Sequence, residues 1–322
     1  MMKNSELILK NNDERVIVAR DAEGRFFNNY NLKPIMHHIL LKPFNIHIRS
    51  VEIGAGEPVV IIPGNTGDGF PFIPLISEIK NKRIIIINRP GGGLSDGMNH
   101  SKVNIREFAC QTIITVLDFF KIGKASIIAH SIGGHWGLWF AMDKPERVIS
   151  LALLGVPGNI LTACPPFLLR LASVPIFNRL LFLFITSKTK TKSLKSLTFM
   201  GHSEETLKNL PDNLAECYFY FQKLPYYSVS SLSLMEKINC LSGSKPEIRI
   251  SENELKNIGK RVLLIWGSND PFGKVETGRK IAQLLPMGEF HEISGCGHLP
   301  WLDEPKKCAE LIVSFLSDRK QK

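Results

Sequence analysis

The sequence predicts an α/β protein with a mostly parallel central sheet flanked by helices, and three observations carry that expectation. Short, continuous apolar runs rich in branched residues recur at 58–62, 83–87, 124–129, 148–154, 261–266 and 289–293. Runs of that length without polar alternation suit strands buried on both faces. Most of them end in a glycine-rich turn, as at 63–69, 88–96 and 267–271. Gly133, Gly137 and Ala141 recur every four residues, which sets them on one helical face smooth enough to lie close on a sheet.

Taken in order, residues 1–34 read as a polar, extended N-terminal arm. The first buried run, 58–62, leads into Pro63-Gly64-Asn65-Thr66-Gly67-Asp68-Gly69. A glycine-rich loop there could cradle a phosphate, but no Gly-Lys-Ser/Thr follows and no Gly-x-Gly-x-x-Gly spacing is present. The run 83–87 contains four consecutive isoleucines and turns through Asn88-Arg89-Pro90-Gly91-Gly92-Gly93-Leu94-Ser95-Asp96. That connection falls at the carboxyl edge of the sheet, where α/β proteins bind ligands.

The most informative residue is Ser131. It follows a buried run and opens a glycine-rich helix, within Ala129-His130-Ser131-Ile132-Gly133. Small residues two before and two after a serine are what a tight strand-to-helix turn demands, and such a turn exposes the hydroxyl as a nucleophile. The usual pattern has glycine at both places, and Ala129 departs from it by one methyl. His130 and His135, close to the serine, read as structural. Downstream, the run 261–266 closes at Gly267-Ser268-Asn269-Asp270-Pro271, and 289–293 precedes Ser294-Gly295-Cys296-Gly297-His298. An acid and a histidine thus follow the serine, each on a loop just past a strand. After 148–154 the turn Gly155-Val156-Pro157-Gly158 offers no carboxylate, which leaves Asp270 as the acid.

These motifs resemble the α/β-hydrolases, whose chain order is nucleophile, acid, histidine. The resemblance covers roughly 35–155 and 258–318. It implies an α/β-hydrolase core at 35–155 and 258–322, with residues 156–257 as an inserted helical cap. It also implies Ser131 as nucleophile, His298 as general base and Asp270 as the acid that orients it. The backbone N–H groups of Asn65 and Ile132 would form the oxyanion hole. The family's usual His-Gly before the oxyanion residue is Pro63-Gly64 here. Relatives that open epoxides or displace halide carry aspartate at the elbow, so Ser131 points to acyl transfer. The expected activity is serine hydrolysis of an ester or thioester with an apolar acyl or aromatic moiety. Carbon–carbon bond hydrolysis is the alternative, and a non-catalytic ligand receptor is the rival from another class.

Composition sets the remaining bounds. The chain has 322 residues, 44% hydrophobic and 22% charged, enough for a large core. The remaining histidines show no metal-ligand spacing, and no metal or cofactor is expected. Six cysteines without a C-x-x-C suggest reduced thiols, with Cys296 incidental beside His298. The N-terminal apolar run is too short for a signal peptide, so a cytoplasmic monomer or homodimer acting on a small molecule is the expectation. Net charge is +10, partly concentrated from Lys188 to Lys195. No nucleic-acid motif accompanies it; a solvated face or a weak contact with anionic lipid is the reading. The apolar stretch 165–185 is broken by Arg170, Pro175, Asn178 and Arg179, too often for a membrane span. Its run from Phe167 to Ile185 is expected to line an acyl pocket.

Overall fold

The computed structural model describes residues 7–156, 160–161 and 165–318. Residues 1–6, Pro157, Gly158 and Cys164, which the sequence reading used, lie outside the described residues. Strands β1 (Ile35–Leu41), β2 (Ile46–Ile53), β3 (Glu57–Ile62), β4 (Lys82–Ile87), β5 (Ala125–His130) and β6 (Val148–Leu154) form the first part of the sheet. Helices α1 (Glu14–Asn29), α2 (Ile73–Glu78), α3 (Ile105–Phe119) and α4 (Ile132–Asp143) precede or connect them. An insertion then carries seven helices: α5 (Phe167–Leu171), α6 (Phe177–Ile185), α7 (Lys195–Thr198), α8 (Glu204–Asn209), α9 (Asp212–Phe221), α10 (Tyr227–Ile238) and α11 (Glu252–Lys256). A small ribbon of β7 (Asn239–Cys240) and β8 (Gly243–Ser244) lies within it. The sheet resumes with β9 (Arg261–Gly267), α12 (Val275–Leu284) and β10 (Gly288–Ile293), and the chain closes on α13 (Pro300–Asp303) and α14 (Pro305–Ser317).

The strand order is β1-β2-β4-β3-β5-β6-β9-β10. Strand β2 pairs antiparallel with both neighbours, and every other pairing among β3, β4, β5, β6, β9 and β10 is parallel. Successive isoleucines of β4 explain why its pattern is continuous: Ile85 and Ile87 face the layer containing Phe108 and Trp136, while Ile84 and Ile86 face Phe70, Ile73 and Phe315. The chain leaves β3 for β4 on one side and returns to β5 on the other. The loops after β3 and β5 therefore meet at a topological switch, the crevice where open α/β sheets bind ligands.

The N-terminal arm is not extended. Residues 14–29 are helical, capped by Asp13, whose carboxylate accepts from the Arg15 N–H at 2.9 Å. Val16, Ala19, Ala22, Phe26 and Phe27 are buried and share an apolar cluster with Leu214, Cys217 and Phe221 of α9. Buried Glu23 pairs with Arg49 on β2. Apolar residues at helical spacing behind an Asp cap were a legible helix signal, masked by the low average hydropathy of the segment.

Helix α4 meets the sheet with unequal demands on its glycines. A Cβ on Gly133 would stand 2.4 Å from the Ile62 carbonyl oxygen and 2.5 Å from that of Pro63. At Gly137 it would meet the Leu151, Ala129 and Ile127 side chains at 3.4, 3.6 and 3.8 Å, ordinary contact distances. Gly133 is required by backbone approach, and Gly137 is not. Gly137→Ala is expected to stabilise the fold by up to about 1 kcal/mol through helix propensity, whereas Gly133→Ala should displace the serine turn and lose activity. Urea unfolding and activity measurements on both variants check this. A Gly133→Ala protein as stable and active as wild type would contradict it.

Candidate active site

Ser131 sits between β5 and α4 with φ 54 and ψ −129. A non-glycine residue in that sparsely populated region costs on the order of 1–3 kcal/mol and persists only where its surroundings over-determine it. They do so here. The Ser131 N–H donates to the Leu154 carbonyl at 3.3 Å, and its own carbonyl accepts from the Gly134 N–H at 2.8 Å. Close approach of Gly133 to the end of β3 fixes the helix on the other side.

Asp270 and His298 are in direct contact. The His298 Nδ1–H donates to Asp270 Oδ2 at 2.8 Å, with both side chains almost fully buried. Asp270 Oδ1 accepts from the Phe272 N–H at 2.8 Å, which fixes the carboxylate. The Phe272 ring lies against the imidazole at 4.2 Å between centroids. The His298 N–H donates to the Met200 carbonyl at 2.8 Å, so the insertion holds the histidine loop directly. Gly155, at φ 51 after β6, backs onto the same loop, and a Cβ there would lie 2.1 Å from the His298 carbonyl oxygen. The turn that offers no acid is thus the one that must make room for the histidine.

Asn65, Ile132, Ser131 and His298 all line one pocket, to which the Asp270 carboxylate is linked through the imidazole. Ser131 and His298 share that pocket without a hydrogen bond joining them among the described residues. Ile132 is the first residue of α4, so its N–H has no acceptor within the helix. The loop bearing Asn65 is held from behind by Arg89, a buried guanidinium that donates to the carbonyls of Pro63 at 2.9 Å, Gly64, and Asn65 at 2.9 Å. In a trans peptide the N–H opposes the C=O, so gripping the Gly64 carbonyl turns the Asn65 N–H the other way. Arg89 also stacks on Trp136 at 4.9 Å. Burial lowers the Arg89 pKa to about 9, against the opposing pull of Asp68.

Two further groups complete the lining. Burial pushes the Asp68 carboxyl up to about 7, although it accepts from the Gly93 N–H at 2.6 Å. His130 does not simply point away from the serine. It lines the pocket, and its Nε2–H donates to the His298 carbonyl at 3.2 Å. Burial first, then the nearby His298, hold it well below the ordinary histidine range, so the ring is a neutral brace. Cys296 is buried and its thiol is pushed up to about 12 by burial, which removes it as a nucleophile. Sequence reasoning missed Arg89, Asp68 and Met200 as site-forming. Arg89 and Asp68 stood inside quoted motifs, yet only the packing reveals that they are buried.

Of the insertion, Pro165, Met200, Tyr218, Met235, Ile238 and Asn239 reach the pocket. Of the run from Phe167 to Ile185, expected to line it, the side chains of Leu168, Leu169, Leu181, Phe184 and Ile185 lie outside the described ones. None of that run's described side chains lines the pocket, and Phe167, Ile176, Phe177, Leu180 and Leu183 face solvent. Phe182 of α6 rests on Tyr227 of α10.

Comparisons with known proteins agree with this architecture. The model of the alpha/beta hydrolase fold family matches residues 57–305. A 2-hydroxy-6-oxononadienedioate/2-hydroxy-6-oxononatrienedioate hydrolase from Paraburkholderia phymatum is 26% identical over 280 residues, covering 82% of this chain and 89% of the relative. Among solved structures, the naproxen esterase (carboxylesterase NP) of Bacillus subtilis superposes with a TM-score of 0.72 at 16% identity, covering 95% of this chain and 99% of that one. A 2-hydroxy-6-oxo-6-phenylhexa-2,4-dienoate hydrolase from a Rhodococcus species gives 0.70 at 19% identity, covering 88% and 99%. The chain is an enzyme of the α/β-hydrolase fold family.

Proposed function

We propose that this enzyme hydrolyses carboxylic esters or thioesters with an apolar acyl or aromatic moiety, using Ser131, His298 and Asp270 as a triad. The observation that carries this reading is the convergence of a strained Ser131 and a buried Asp270–His298 pair on one pocket. With Nδ1–H committed to Asp270, the His298 Nε2 is the ring atom free to take a proton. It removes the Ser131 proton as Oγ attacks the acyl carbon. Negative charge on the carbonyl oxygen is stabilised by the Ile132 and Asn65 N–H groups, with about 3 kcal/mol typical for one such donor. Collapse breaks the bond to the leaving group, which takes the proton from His298, and leaves an ester on Ser131. Water, deprotonated by the same imidazole, then releases the acid and regenerates the serine. Asp270 holds the imidazole's tautomer and stabilises its cationic form. The serine and histidine close to hydrogen-bond distance on substrate binding, a common tightening from the free state.

The insertion serves as the cap in this reading, and buried thiols at Cys110, Cys217 and Cys308 suit a reducing cytoplasm. Pocket chemistry supports the ester reading over carbon–carbon cleavage of a dioate. The latter is favoured by the name of the Paraburkholderia relative, whose substrate is a dioate. Two carboxylates call for cationic partners, and no Lys or Arg is among the described lining residues. The lining does contain Asp68, with Phe72, Met235, Ile238 and Trp301 around an apolar interior. Turnover of p-nitrophenyl esters should rise with acyl length, several-fold per carbon until the pocket fills, since each buried CH₂ is worth about 0.8 kcal/mol. A dienedioate should be a far poorer substrate, and Ser131→Ala should lose about a millionfold in kcat. Preference for the dienedioate would overturn the ester assignment. A Ser131→Ala enzyme retaining a few per cent of its activity would overturn the nucleophile.

Asp68 makes the pocket's neutrality depend on pH. Its folded-state pKa of about 7 lies above the 3.8 of an ordinary aspartate. The folded state therefore keeps a proton that the unfolded chain releases at lower pH. The stability this contributes is full below about pH 4 and is lost as pH rises through 7. Urea unfolding of wild type and Asp68→Asn at pH 5 and 8 should show a fall in stability with pH that the variant lacks. Parallel pH dependences would contradict the assignment.

A further inference from the structure

Helix α6 exposes part of its apolar surface. Its inward side carries Asn178, which is buried and donates to Glu236 at 2.6 Å, together with Phe182 against Tyr227 of α10. Outward along one stripe, at spacings of one, four and seven, lie Ile176, Phe177, Leu180 and Leu183, each more than half exposed. Exposed apolar side chains at these positions depart from the usual amphipathic pattern, in which the outward face of a surface helix is polar. Contiguous exposed apolar side chains mark a docking surface.

Charge says what docks there. From residue 156 through 203 the chain has no Asp or Glu, while Arg170, Arg179, Lys188, Lys190, Lys192 and Lys195 are present. Arg179 and the four lysines are exposed. Of these, Lys190 is tied to Glu216 at 2.7 Å. An exposed apolar stripe followed in the chain by exposed cations, with no Asp or Glu from 156 through 203, has the composition that suits the boundary between anionic headgroups and acyl chains. Among the described residues no helix is long and apolar enough to cross a membrane, so the contact would be with the surface. The insertion's own helix α10 stands between α6 and the pocket, contributing Met235 and Ile238 to the lining.

We propose that α6 and the following lysine run form a docking surface for anionic membranes. Ile176, Phe177, Leu180 and Leu183 enter the acyl boundary while Arg179, Lys188, Lys192 and Lys195 hold the headgroups. The docking goes beyond the hydrolase reading and would hold whichever bond is cut.

Flotation of the full chain with vesicles tests it. Wild type should float with phosphatidylglycerol/phosphatidylcholine vesicles, remain behind with pure phosphatidylcholine, and lose binding as salt is raised. Leu180→Glu/Leu183→Glu should abolish flotation while hydrolysing a soluble short-chain ester at the wild-type rate, which shows that the fold survives. Lys188→Gln/Lys192→Gln/Lys195→Gln should weaken binding by roughly fivefold per lysine. Equal flotation with neutral vesicles, no flotation with anionic ones, or unchanged binding by the double glutamate variant would overturn the proposal. A dimer in ultracentrifugation that the glutamate variant dissociates, without vesicle binding, would make the face a self-association surface and also overturn it. Because flotation reads no catalysis, an inactive but vesicle-bound protein would fault the hydrolase reading alone.

Discussion

The site depends on one close approach, that of Gly133 at the start of α4 to the carbonyl oxygens ending β3. Without a side chain at 133 the helix can begin directly beside the neighbouring strand. That forces Ser131 into its strained turn and makes Ile132 the first helical residue, whose N–H has no acceptor within the helix. The strain is local, and it is offset by the apolar layers on both faces of the sheet, which fix β3, β5 and β6 in register. Arg89 answers the same problem from the other side. By taking three successive carbonyls of the β3 loop, it fixes the peptides from Pro63 to Asn65 at the edge of the pocket. A charged group is used there at the expense of its own desolvation, softened by Trp136 and by five donors in a planar fork.

The insertion does more than cover the pocket. Its Met200 carbonyl accepts from the His298 N–H. Two residues on, buried His202 lies 2.8 Å from Asp303, which also accepts from the Gly297 N–H at 3.0 Å. Residues on both sides of the histidine loop are therefore anchored to the segment that shapes the substrate space. The position of that segment and the placement of His298 are mechanically joined.

Much of this was legible in the sequence where chemistry and backbone geometry coincide. The buried runs became strands because branched residues in continuous apolar stretches leave few alternatives. Ser131, Asp270 and His298 were legible because each follows such a run on a short, glycine-marked loop. The partners of buried charge were not. Nothing local distinguishes Arg89 or Asp68 from exposed residues of the same type, since their burial is decided by elements far away in sequence. The exposure of Phe167, Ile176, Phe177, Leu180 and Leu183 was not legible for a related reason. Apolar composition predicts that side chains seek an apolar neighbour, but not whether that neighbour lies within the chain. The N-terminal helix was obscured because its interior face includes Glu23, a carboxylate whose burial only Arg49 makes tolerable.

The central claim is that Ser131 is activated where the structure places it, with His298 and Asp270 as its proton relay. Reaction with a fluorophosphonate probe, followed by peptide mass analysis, tests it most directly. A hydroxyl activated by a general base displaces fluoride and keeps the phosphonyl group, whereas ordinary serines do not react. The account predicts one adduct per chain, on the peptide bearing Ser131, formed far more slowly in His298→Ala. Labelling at another residue, or an unlabelled Ser131 in folded protein, would contradict it.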